Sequence, residues 1–148
     1  MYIGLLHLHN AARWLVLIAA VLAIGFAIAG LVRGAPWGRG AKLSGLAYMV
    51  SMDLQLVIGL LLYVVSPLVR SAFANVAAAM ADQQFRFFLV EHLLLMVGAV
   101  VLVHVGYALG KRATVARTAY VRSLVFYVLG FAVTLLAIPW WRPLFPGL

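Results

Sequence analysis

The chain has no cysteine and, in 148 residues, only three acidic side chains. Without cysteine there are no disulfides, thiolate metal sites, iron–sulfur clusters or covalent c-type haem. Charge of either sign is scarce: 9% of residues are charged, where a soluble domain carries about 25%. The sequence shows no internal repeat, domain boundary or low-complexity tract. It has no phosphate loop, activated nucleophile or recognisable catalytic motif, which weighs against an enzyme acting alone.

What fills the chain instead is apolar. Hydrophobic residues make up 67% of it, and mean hydropathy is +1.13. Four apolar segments stand out, at about 3–32, 43–65, 85–109 and 119–140. Each is long enough to cross roughly 30 Å of hydrocarbon at about 1.5 Å per residue. Runs such as Trp14–Ile24 do not alternate as the strands of a barrel would. The first segment lacks a basic start, so it reads as a span rather than a signal peptide. The expectation is an all-α polytopic membrane protein, residues 1–148 forming one antiparallel four-helix transmembrane bundle in a lipid bilayer.

The net charge of +8 does not indicate nucleic acid. Most basic residues stand in short loops: Arg33, Arg39 and Lys42 in one, Lys111, Arg112 and Arg117 in another. By the positive-inside rule these loops are cytoplasmic, and both termini and the 66–84 loop face outward. That loop opens with Ser66-Pro67, a helix stop, and its alanine-rich middle, about 69–80, predicts a short surface helix. Pro139-Trp140-Trp141-Arg142-Pro143 reads as an interfacial anchor. Small residues at spacing four on the first segment (Ala19, Ala23, Ala27; Gly25, Ala29) predict close helix contact.

Against this background Glu91 and His92 are conspicuous. They interrupt the third apolar run, where an ionisable group costs about 2.5–3.5 kcal/mol by insertion scales. Depths counted from the outer helix ends put His9, Arg13, Asp53, Gln55, Glu91 and His92 all roughly 9–18 Å inside. One buried polar cluster of Arg13, Asp53, Gln55, Glu91 and His92 is therefore expected between the first three helices. His104, Tyr48 and Tyr127 form a weaker group toward the other face.

Several readings of this cluster compete. It can be structural, an ion pair of Arg13 with Asp53 or Glu91 plus a hydrogen-bonded histidine. It can hold one b-type haem, whose iron takes two histidines from facing helices at one depth. His9 and His92 meet that condition, Arg13 suits a haem propionate, and Met96 suits the porphyrin face. A second, stacked haem would need another histidine near the depth of His104, and none exists. A zinc, iron or manganese site could draw on Glu91, His92, Asp53 and His9. Movement of protons or small solutes is a further reading.

The strings His7-Leu8-His9-Asn10 with Arg13-Trp14, Asp53-Leu54-Gln55-Leu56-Val57-Ile58-Gly59-Leu60, Val90-Glu91-His92 and Ile138-Pro139-Trp140 together cover most of the chain. They resemble a family of small four-span bacterial inner-membrane proteins, often labelled cytochrome b. Members of that family can carry histidine where this chain has Asp53. The Glu-His pair and the Gln55-to-Gly59 run are also loosely similar to helices of haem A synthase. The resemblance implies a multi-pass inner-membrane protein that binds haem b and exchanges electrons with quinone or with subunits of a respiratory-type complex. The alternative is an accessory or scaffold subunit of a larger membrane complex, or a homo-oligomer, with a purely structural polar cluster.

Overall fold

The computed structural model describes residues 1–142. They form four long helices: α1 (Tyr2–Val32), α2 (Arg39–Val65), α5 (Gln83–Arg112) and α6 (Ala116–Ala137). Two short helices, α3 (Pro67–Ala74) and α4 (Val76–Ala81), lie between α2 and α5. The four long helices are long and apolar enough to cross a membrane, with mean hydropathy of 1.8 to 2.9 in their most apolar stretches. No strand occurs among the described residues.

Each long helix packs against two others, α1 on α2 and α6, and α5 on α6 and α2, so the bundle closes on itself. The buried positions follow helical spacing. On α1 they include Arg13, Val16, Ala20, Ala23, Ala27 and Gly30; on α6, Ala119, Ser123, Tyr127, Gly130, Thr134 and Ala137. The opposite face of α1, with Leu15, Ile18, Leu22 and Phe26, is exposed as lipid contact requires. Lipid tails are as apolar as leucine, so burial alone does not drive these helices together; close packing and hydrogen bonds do.

Small residues supply the packing. Ala19, Ala23 and Ala27 are buried as expected, but Gly25 has nothing near a would-be Cβ, so the expected Gly25–Ala29 stripe is not a contact. The glycines that matter lie elsewhere. A Cβ on Gly106 of α5 would stand 2.7 Å from Phe126 Cβ, and one on Gly130 of α6 would stand 2.7 Å from Val103 Cγ2. At the centre Tyr48 and Tyr127 meet edge to face, 5.7 Å between ring centres, both fully buried.

Helix boundaries follow local chemistry. Ser66 both ends α2 and starts α3, its Oγ accepting from the Val69 N–H at 3.4 Å with Pro67 beside it in the first turn. Asn75 caps α4 through Ala78 N–H at 3.1 Å, and Asp82 caps α5 through Phe85 N–H at 2.9 Å. The surface helix expected over 69–80 is thus two helices broken at Asn75. The fourth span ends at Ala137 rather than about 140, because Pro139 cannot continue it. Trp140 and Trp141 are half exposed, as an anchor would be; Pro143 lies outside the described residues.

Gly106→Ala should destabilise the protein by about 1–3 kcal/mol, since the backbone-borne Phe126 Cβ cannot step aside. Gly25→Ala, with open space around it, should be neutral or slightly stabilising. Unfolding of both variants in detergent against denaturant checks this pair.

Candidate functional site

The helix α5 is not regular at its start. Phe87–Glu91 forms a π-helical turn that leads directly into His92. Such a turn widens the helix and commonly marks a functional position. Tyr63 on α2 donates its hydroxyl to the Leu89 carbonyl within this turn, at 2.9 Å. Arg86 Nε meets Glu91 Oε1 at 2.7 Å, and Arg86 Nη1 donates to the Met80 carbonyl at 3.2 Å. The widened turn is therefore held from two sides.

His92, which follows, donates Nδ1–H to the Ala137 carbonyl at the end of α6, at 2.8 Å. A carbonyl only accepts, so this bond fixes the proton on Nδ1 and leaves the Nε2 lone pair free. Facing it from α1 is His9, with 6.1 Å between ring centres and 71° between ring planes. His9 is held by Gln55 of α2, whose Nε2 donates to the His9 carbonyl at 3.1 Å and lies 3.3 Å from His9 Nε2. His9 Nδ1 and Gln55 Oε1 are both buried without a hydrogen-bond partner among the described residues. Gly59 makes room for the ring: a Cβ there would stand 3.1 Å from His9 Cε1.

Both histidines line a cavity of about 330 Å³. That size falls within the range of small-molecule sites, about 300–1,000 Å³. Its walls are mainly apolar, with Arg13, Gln55, Thr134, Met96 and Arg142 among its lining. Arg13 is buried, and its guanidinium lies 5.8 Å from the Trp14 ring centre. The Arg142 guanidinium lies over the Phe88 ring at 4.3 Å.

The sequence-derived cluster is thus divided. His9, Arg13, Gln55, His92 and Met96 all line the cavity. Asp53 and Glu91 do not. Asp53 pairs with His104 at 3.3 Å, and Glu91 with Arg86; all four side chains are roughly two-fifths exposed. The carboxylates expected beside Arg13 therefore have other cationic or imidazole partners. Among the described residues no group of three or more His, Asp, Glu or Cys is placed to hold a metal ion. The zinc, iron or manganese site drawn from Glu91, His92, Asp53 and His9 is accordingly set aside.

Tyr63, Gly59 and Arg142 line the cavity but are not among the site residues read from sequence, where Gly59 stands only in the resembling run and Arg142 in the interfacial anchor. Gln55, Gly59 and Tyr63 share a helix face at spacings of four, with Leu56 beside them three residues before Gly59, a signal that was available. The π turn left no such signal.

Gln55→Leu should cost about 1–3 kcal/mol, because the His9 carbonyl loses its buried donor. Glu91→Gln, at a half-exposed pair, should cost at most about 1 kcal/mol. Thermal unfolding in detergent distinguishes the two; equal losses would mean that Gln55 does not hold His9. Comparison with known proteins places no family on this site: no protein-family model, curated protein or solved structure matches the chain.

Proposed function

We propose that this protein is a membrane redox carrier that would hold one b-type haem in the cavity, with His9 and His92 as the residues that would bind its iron, and would exchange electrons with quinone or a partner complex. The observation that carries the reading is the facing of two imidazoles from different helices at 6.1 Å. Two imidazoles contributed by facing helices would be the residues to hold a haem iron between them.

The residues fit the group. His92 offers a free Nε2 lone pair, with its other nitrogen held by a backbone carbonyl, as ligating histidines usually are. His9 Nδ1 is buried without a partner among the described residues; for it to bind iron, Nε2 would carry the hydrogen and the Gln55 amide would turn over, its Oε1 then accepting in place of the present bond to the His9 carbonyl. Haem bound here would carry one electron at a time. Around it, the apolar lining would limit water, Gln55 holds the His9 backbone and Ala137 the His92 ring, and Arg13 and Arg142 would offer positive charge to carboxylates of the group. Met96 supplies soft apolar surface to a ring face.

In the same reading the bundle is antiparallel in a bacterial inner membrane, with both termini and the cavity on the outer side. The basic loops around Arg33–Lys42 and Lys111–Arg117 support that orientation. Reporter fusions at Gly38 and Ala113 should read cytoplasmic, and a fusion after Leu148 external; the reverse pattern would invert the bundle.

Protein made in haem-replete cells should show a Soret band and sharp α and β bands on reduction. His92→Ala and His9→Ala should each abolish the six-coordinate spectrum, while His104→Ala, outside the cavity, should leave it intact. A haem that survives His92→Ala would refute the ligand assignment. A colourless protein that co-purifies with stoichiometric partners would replace the carrier with an accessory subunit whose polar groups are structural.

A further inference from the structure

The Asp53–His104 pair takes no part in the cavity. His104 Nδ1 lies 2.9 Å from the Val100 carbonyl, which can only accept, so Nδ1 carries a hydrogen. His104 Nε2 and Asp53 Oδ1 approach at 3.3 Å. The pair sets one acid beside one imidazole, contributed by neighbouring helices. Asp53 lies roughly 18–21 Å from both ends of α2, at mid-span. Yet its side chain is 44% exposed and that of His104 is 42% exposed.

Such exposure conflicts with the solvent. Ionisable groups at mid-span face a bundle interior or a water-filled cavity, because hydrocarbon offers them no partner. Here the pair looks outward from the α2–α5 seam, flanked on the same helix faces by the exposed Val50, Val57, Val97 and Val101. We propose that this seam is the dimer interface of the protein, covered in the membrane by the same seam of a second copy.

Two arguments select a second copy over a different partner. A two-fold axis along the membrane normal keeps depth, so it brings the two pairs to one level and sets Asp53 of each copy opposite His104 of the other. A pair containing one acid and one imidazole is self-complementary under that operation; a lone charge would repel its image. A partner helix bearing a single basic residue would instead match only Asp53 and set a second cationic group beside His104. The valines flanking the pair supply the apolar packing that membrane helices need around a polar contact. This inference is independent of whether the cavity holds haem.

The absence of cysteine makes the test clean. Single-cysteine variants Val50→Cys, Val57→Cys and Val101→Cys are oxidised in native membranes at low expression and run without reductant. At least one should give a band of twice the chain's mass. Ile18→Cys on α1 and Val125→Cys on α6, equally exposed but on other faces, should give none. Adding Asp53→Lys to the cross-linking variant should remove the dimer band, and size exclusion should show a folded monomer. Dimer at the control positions alone, or at no position, overturns the proposal. A seam cross-link to a protein of different mass also overturns it, in favour of a heterologous subunit.

Discussion

A polar group placed inside a bilayer must find its partner within protein, and the arrangement of this bundle follows from that constraint. His92 reaches the Ala137 carbonyl at the end of α6, where helix termination has freed an acceptor. Tyr63 reaches the Leu89 carbonyl inside a π turn, and Gln55 reaches the His9 carbonyl across the α1–α2 contact. Each bond crosses between helices that have little apolar drive to associate. The bonds thereby fix which helices are neighbours, and the small residues between them set how closely those neighbours approach.

The two ends of the bundle use this freedom differently. At the end carrying the 33–38 and 113–115 connections, packing is tight. Gly30 meets the Tyr120 ring, Gly45 the Tyr127 hydroxyl and Gly110 the Ser123 hydroxyl, each so close that a Cβ would force the facing side chain to shift. Tyr120 also donates to the Pro36 carbonyl at 2.9 Å and stacks edge-on with Trp37. At the other end the helices part around the cavity, and the glycine found there, Gly59, serves a side chain rather than a backbone contact. Rigidity at one end lets the other keep a cavity without losing register.

Much of this was legible in the sequence. Apolar length located all four spans, and boundary errors of a few residues arose where caps and prolines override hydropathy. His9, Arg13, Gln55 and His92 were singled out by depth and Met96 as surface for a porphyrin face, and the cavity gathers all five. Depth misled for Asp53 because it ignores phase. Asp53 and Gln55 are two residues apart, about 200° around a helix. A helix that turns Gln55 inward must turn Asp53 outward, toward His104. That argument needs only the sequence.

Glu91 is a different case. It pairs with Arg86 at a separation of five. In a regular α-helix residues five apart stand about 140° from one another. They face each other here because the intervening turn is π-helical, with its hydrogen bonds reaching one residue further. Apolar periodicity cannot reveal such a turn, because Phe87, Phe88, Leu89 and Val90 are apolar on every side. The same irregular turn removes Glu91 from the cavity and delivers His92 into it. The adjacent acid and histidine that made this stretch conspicuous therefore have separate roles: Glu91 holds the turn closed, and His92 is what the turn positions.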